Sequence, residues 1–167
     1  VWDCEISDSS GNLIDNEHLE LFDYLLQRLQ ERNIKAIITP IAYWGNGWPD
    51  PDEPTPGFSS KYGKDGCLVD PAAIKAQENY LAQFVNHVNR YTGIAYKNDP
   101  SIIAFEVCNE PHHRGEPAQV ESFVRRMKDA IRSTGCTKPI FYNVTHGINY
   151  AEDYYADVVR AYQQKSF

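Results

Sequence analysis

No apolar run in the chain approaches the roughly 20 residues that a membrane-spanning helix needs, so no membrane segment is expected. Cysteine is scarce: Cys4, Cys67, Cys108 and Cys136 show no Cys-x-x-Cys spacing and are too few for a disulfide scaffold. Buried free thiols are the default reading, and the compartment stays open. Positive charge is thin as well. With a formal net charge of −7 and basic residues only in short groups such as Arg125-Arg126, there is no patch to neutralise phosphates. A nucleic-acid partner and an anionic membrane surface are therefore disfavoured. No Gly-rich loop follows any strand-like segment and no dinucleotide fingerprint is present, so no nucleotide cofactor is called for. The adjacent His112 and His113 lack metal-ligand spacing to other residues, and no metal is expected. An initiator methionine and a signal peptide are also missing, and Val1 reads as the tail of a strand, so a start upstream is expected.

What is present is an ordinary globular composition, 42% hydrophobic and 23% charged, in strand-then-helix order. Val1–Cys4 reads as a first short strand. Its helix follows Asp15 or Asn16 as N-cap, with Leu19, Phe22, Leu25, Leu26 and Leu29 spaced by three and four. Ile34–Ile41 is a β-branched run of the kind that a parallel sheet buries on both faces. A long loop, Ala42–Val69, rich in proline, glycine and aromatics, separates it from a helix opened by Asp70-Pro71. The stripe Ile74, Leu81, Phe84, Val85 and Val88 should be buried.

A third strand, Ile102–Cys108, precedes a helix from Glu116-Pro117 with Val120, Phe123, Val124, Met127 and Ile131 on one face and Gly135 as its stop. Pro139–Val144 is a fourth strand, and Asn149–Phe167 a short aromatic-rich helix. Such alternation means parallel βαβ units in an α/β protein. Four units are about half of an eightfold barrel of around 250 residues. The fold expected over residues 1–167 is thus an incomplete (β/α)8 TIM barrel, about strands 2 to 5 with their helices, truncated at both ends.

In such a barrel, chemistry sits at the C-terminal ends of the strands. The third strand ends abruptly in Asn109-Glu110-Pro111. Alternation puts Ile103, Phe105 and Val107 toward the helices and Ala104, Glu106 and Cys108 toward the barrel interior. An inward Glu106 needs a hydrogen-bonding or cationic partner, and a supporting role suits it better than catalysis. Glu110, at the rim, is the catalytic candidate. Glycoside hydrolysis commonly uses two carboxyl groups across the scissile bond, and an amide beside the acid can hydrogen-bond the sugar 2-hydroxyl. Asn109-Glu110 fits that demand and points to a polysaccharide or oligosaccharide partner.

Trp44 and Trp48 flank a Gly-Asn-Gly turn beside a strand end, where indoles could stack on sugar rings or simply pack the loop. Tyr43 could serve likewise or point inward. His112 and His113 read as solvated loop histidines, one of which could reach the leaving-group side. His146, with Asn143 and Thr145, could reach the same rim. Asp3 and Glu5 are rim candidates by position only.

The segment Tyr96-Lys97-Asn98-Asp99-Pro100 followed by SIIAFEVCNEP resembles the fourth-strand signature of glycoside hydrolase family 5 and related clan A retaining glycosidases. Leu21–Thr39 is similar to that family's second helix and third strand, and Tyr43-Trp44-Gly45-Asn46-Gly47-Trp48 to the loop that follows in its β-mannanase branch. The resemblance is sharp between about Tyr96 and Pro111. It implies Glu110 as general acid/base, Asn109 as its sugar-binding neighbour, and a nucleophilic Glu at the end of a seventh strand that this sequence does not reach. It implies a second-strand arginine at or before Val1, and a secreted or periplasmic setting. The isolated chain is expected to be inactive. Two other readings stand beside retaining, endo-type hydrolysis of β-mannan or β-glucan: a non-catalytic carbohydrate-binding relative, and an exo-acting β-glycosidase of the same clan. An unrelated metal-dependent barrel hydrolase is a third.

Overall fold

A computed structural model describes residues 1–43, 55–111, 113 and 116–143. Its elements, in chain order, are α1 (Asp3–Ile6), α2 (Glu17–Glu31), β1 (Ala36–Ile38), α3 (Phe58–Val69), α4 (Pro71–Asn86), a 3-10 turn (Tyr96–Asn98), β2 (Ile102–Glu106), α5 (Pro117–Arg132) and β3 (Ile140–Phe141). The three strands pair in the order β1-β2-β3, all parallel. Ile38, Phe105 and Ile140 stand abreast across the sheet. Helices α3 and α4 fill the connection from β1 to β2, and α5 the connection from β2 to β3. Parallel neighbours joined through helices form the repeating unit of a βα barrel.

Local chemistry explains the helix boundaries. Asn16 is the N-cap of α2, its side chain accepting from the Leu19 N–H at 3.1 Å. Asp70 caps α4, accepting from Ala72 N at 2.7 Å, and Pro71 follows at a position where no N–H is needed. At α5 the Glu116 N–H donates to Gln119 Oε1 at 3.1 Å. Gly135, at φ 81°, lets the chain turn after its end. The expected stripe of α5 is buried in full: Val120, Phe123, Val124, Met127 and Ile131. In α2, Leu19 and Leu26 are buried, but Leu25 is 48% exposed and stands outside the stripe. Val88 lies beyond the end of α4 and is likewise exposed. A run of rings, Phe58–Tyr80–Phe84–Tyr96, with centroids 5.4, 5.6 and 5.1 Å apart, ties α3 and α4 to the 3-10 turn.

Three expectations need correction. Val1–Cys4 is not a strand, because Asp3–Ile6 makes a helical turn. Four residues carry no periodicity that separates strand from helix. Here tertiary demands decide: Ser7 Oγ donates back to Asp3 O at 2.6 Å, and the Asp3 carboxylate is drawn into the interior. Ala42–Val69 is not all loop, since its last 12 residues are α3, whose two glycines hide the helical pattern in the sequence. Finally, Ile103 does not face the helices. The β1–β2 register slips between Ala36 and Ile37, which oppose Ile102 and Ala104, so Ile103 is left without an opposite residue and is 49% exposed. Phe105 and Val107 are buried as expected. On the opposite face, Glu106 is half-buried and finds its partner in Thr39, whose hydroxyl donates to Glu106 Oε2 at 2.6 Å.

The Tyr96–Ser101 segment anchors the sheet from below. The Tyr96 ring is fully buried and its hydroxyl donates to Asp23 Oδ1 at 2.5 Å. Lys97 Nζ donates to Thr134 O at 2.6 Å, and Asp99 Oδ1 accepts from the Ser101 N–H at 2.7 Å. Lys138 Nζ bonds both Asp99 O (2.8 Å) and Ile102 O (2.6 Å), lacing the start of β2 to the approach to β3. Around Asp23, His87 Nε2 sits 3.0 Å from both carboxylate oxygens and the Arg90 N–H donates at 3.2 Å. Burial pushes the Asp23 carboxyl up, but the bonds from His87, Tyr96 and Arg90 outweigh it and hold the group below its ordinary range.

Candidate functional site

The strand ends place Asn109 and Glu110 at one rim. Pairing of β1 with β2 continues past the regular strands through a parallel bridge between Ile41 and Cys108. The Asn109 N–H then donates to Ile41 O at 2.8 Å, closing the ladder. Asn109 is half-buried, Glu110 is exposed, and Pro111 is buried behind them. Glu110 has φ 46°, a left-handed conformation that non-glycine residues rarely adopt. Such conformations cost about 1–3 kcal/mol and gather at functional positions. Here the left-handed turn ends the strand at an exposed carboxylate and leads directly into the buried Pro111.

The neighbouring end of β1 is equally bent, with Tyr43 at φ 61°. A buried carboxylate holds it: Asp3 Oδ1 accepts from the Ala42 N–H (2.7 Å) and the Tyr43 N–H (3.1 Å), and Asp3 Oδ2 accepts from the Ser59 hydroxyl of α3. Asp3 is therefore not a rim group. It is a fully buried clamp on the strand end, its carboxyl raised by burial despite those donors. Glu5 is not at a strand end either; it sits in α1, half-buried, 3.6 Å from His18 Nε2. Tyr43, considered as a stacking platform, turns inward. Its ring is 5% exposed and its hydroxyl donates to Gln77 Oε1 at 2.9 Å, while Gln77 Nε2 in turn donates to Cys67 O at 2.6 Å.

The residues around Glu110 in the chain, Cys108, Pro111 and His113, are buried. Burial pushes the Cys108 thiol up to about 12, so it stays a neutral packing group. All four cysteines are free and buried. His113 is 3% exposed rather than solvated: its Nε2 hydrogen-bonds the Tyr142 hydroxyl, its ring packs edge-on to Phe123 at 5.4 Å, and burial lowers its pKa to about 4. Nothing in the local sequence distinguishes it from an exposed histidine, because the residues that cover it lie in α5 and after β3. Trp44, Trp48, His112 and His146 lie outside the described residues. Among the described residues no cluster of His, Cys, Asp or Glu has the arrangement of a metal site.

One residue at the rim has no sequence signal. Lys64 of α3 is half-buried, with its Nζ 6.0 Å from the centroid of the Tyr43 ring and within range of the Glu110 charge. It follows Gly63, whose φ 66° and ψ 168° interrupt the helix. Only the Tyr-Gly-Lys-Asp-Gly composition, two glycines in a helical stretch, hints at a deliberate break.

Comparison with solved structures identifies the architecture. The chain aligns with the endo-1,4-β-D-mannanase of Thermotoga petrophila with a TM-score of 0.63 at 21% identity, over 82% of this chain and 44% of that one. It aligns with the endo-1,4-β-mannanase of Rhizomucor miehei with a TM-score of 0.60 at 23% identity, over 84% and 43%. Parallel strands, helical crossovers and these likenesses make it part of a (β/α)8 barrel. A profile of the family described as Cellulase (glycosyl hydrolase family 5) matches residues 1–161, and the chain belongs to that family. Among curated relatives, mannan endo-1,4-beta-mannosidase 2 of Arabidopsis thaliana is 42% identical over 136 residues, covering 74% of this chain and 30% of that protein. Mannan endo-1,4-beta-mannosidase A of Podospora anserina is 30% identical over 138 residues, covering 80% and 33%. The chain thus spans about a third of the length of these two relatives.

Proposed function

We propose that this chain carries the acid/base half of a retaining, endo-acting β-glycosidase whose substrate is a β-1,4-linked mannan or a related β-glucan. The observation that carries the reading is the rim at the end of β2, where Asn109 and Glu110 stand side by side at the C-terminal edge of a parallel sheet. Mannan is preferred over glucan because the similar proteins from Arabidopsis thaliana and Podospora anserina are mannan endo-1,4-β-mannosidases.

The chemistry is a double displacement. In the first step Glu110 donates its proton to the glycosidic oxygen as the bond to the anomeric carbon breaks, and a second carboxylate bonds to that carbon. In the second step Glu110, now ionised, takes a proton from water, and the hydroxide displaces the enzyme carboxylate. Asn109 hydrogen-bonds the 2-hydroxyl of the sugar being attacked. The second carboxylate is not among the residues of this chain assigned to the rim, so both steps require the full-length protein.

The test compares the full-length protein with Glu110→Ala on β-mannan, β-glucan and aryl β-glycosides. Loss of a general acid/base should slow polysaccharide turnover by about 10²- to 10⁴-fold. Aryl glycosides, whose leaving groups need little protonation, should form the glycosyl-enzyme at a less impaired rate. Undiminished hydrolysis of both substrate types would overturn the assignment.

A further inference from the structure

The rim carries a cation that the acid/base scheme leaves unused. Lys64 emerges directly after the Gly63 break in α3. A Cβ at Gly63 would meet no neighbouring atom within 4 Å, so glycine there serves backbone geometry rather than close packing. The break redirects the chain so that Lys64 leans back over the end of β1, its ammonium 6.0 Å from the Tyr43 ring centroid. That ring is an immobile support, since Tyr43 is held at its hydroxyl by Gln77 and at its N–H by Asp3. Lys64 is half-buried, and burial lowers its pKa although the carboxylates of Glu110 and Asp65 pull the other way. Among the described residues its ammonium makes no hydrogen bond and no ion pair. A partly desolvated ammonium within electrostatic range of the acid, its donors unused among the described residues, is a site built for an acceptor that arrives from outside.

We propose that Lys64 is a substrate-binding residue that donates hydrogen bonds to hydroxyls of the leaving-group sugar, the one whose glycosidic oxygen Glu110 protonates. The proposal rests on the acid/base reading of Glu110 for the side of the bond it assigns, but not for the binding itself. A proton donor reaches the glycosidic oxygen at about 3 Å, so hydroxyls of the departing sugar come within reach of a cation on the same rim. Lys64 thereby favours a sugar over a hydroxyl-poor leaving group and helps to set chain-length preference.

The experiment uses the full-length protein with Lys64→Met, which keeps the stem and removes the charge, and Lys64→Arg, which keeps a donor. Melting temperatures first confirm that each variant is folded. Binding is measured by calorimetry with non-hydrolysable thio-linked manno- and cello-oligosaccharides. Turnover is measured on oligosaccharides and on aryl glycosides that share the same non-reducing end. Lys64→Met should weaken oligosaccharide binding and lower oligosaccharide kcat/KM by about 10- to 100-fold, the loss of a charge-assisted hydrogen bond. Aryl glycoside kcat/KM should stay within about threefold of the parent, and Lys64→Arg should recover most of the loss. Unchanged binding and turnover in Lys64→Met would overturn the proposal. So would an equal loss on aryl and sugar leaving groups, which would assign Lys64 to Glu110 rather than to the substrate. Should the parent protein hydrolyse nothing, the acid/base reading fails, while the binding measurement still decides the role of Lys64.

Discussion

Replacing Tyr96 by Phe removes one oxygen from the most recognisable part of the sequence and should damage stability while sparing the rim. The ring, fully buried between Phe22, Phe84 and His87, keeps its packing, so no cavity opens. What disappears is the 2.5 Å bond to Asp23 Oδ1. A hydrogen bond to a charged partner contributes about 1.5–3 kcal/mol. Asp23 retains His87 at 3.0 Å and the Arg90 N–H at 3.2 Å, so it is not stranded, and the cost should fall near the middle, about 2 kcal/mol.

In a cooperative unit of about 150–250 residues that corresponds to a fall in Tm of roughly 4–8 °C, and in a longer one to proportionally less. The penalty has a pH signature. Asp23 sits below its ordinary pKa in the folded protein, so its stabilising bonds are present above the unfolded carboxylate value of about 3.9 and are lost as pH falls through the lower, folded value. The gap between parent and variant should therefore be full at pH 7 and close in strong acid. Urea denaturation of the full-length protein across that range measures it, alongside kcat/KM on mannan at a temperature where both are folded. A gap below about 0.5 kcal/mol at pH 7 would refute the reasoning. So would a kcat/KM loss beyond about tenfold, because Tyr96 would then act on the site.

Three further outcomes are expected. His113, lowered to about 4 by burial, binds fewer protons when folded than when unfolded between that value and about 6.5, so stability should fall by up to about 3 kcal/mol as pH drops through the window. His113→Gln should flatten that slope in pH-dependent denaturation. Asp3→Ala strips the acceptor from Ala42 N, Tyr43 N and the Ser59 hydroxyl, and should cost about 3–5 kcal/mol with a loss of turnover as the β1 end relaxes, read by melting and by kcat/KM on mannan. Gly63→Ala should cost about 1–3 kcal/mol through backbone strain alone, whereas Gly11→Ala, whose Cβ would lie 1.8 Å from Ala76 O, should be far worse. Equal melting temperatures for those two variants would contradict this distinction.

What could be read from the sequence follows from which forces are local. The caps at Asn16, Asp70 and Glu116, the α5 stripe and the parallel runs around Ile38, Phe105 and Ile140 all depend on neighbours a few residues away, and each was legible. Glu110 was legible as a rim carboxylate because strand termination by Pro111 is itself a local signal. The α1 turn, the burial of His113, the inward Tyr43 and the placement of Lys64 were not. Each is decided by a partner 29 to 56 residues away or by a backbone break, and no periodicity encodes either. The signature segment itself divides in the same way. Tyr96, Lys97 and Asp99 serve the fold, whereas Asn109 and Glu110 stand at the rim, where the proposed chemistry would take place.

The left-handed turn at Glu110 sets stability against the proposed function at a single position. Glycine adopts that conformation without steric penalty, so Glu110→Gly relieves strain at the same stroke that it deletes the carboxyl group to which the proposed acid/base role falls. Directed evolution for heat tolerance, run without an activity screen, would find that substitution attractive. If the proposed role of Glu110 holds, the residue at this one φ angle is a sharper marker of a working enzyme than the motif that leads up to it.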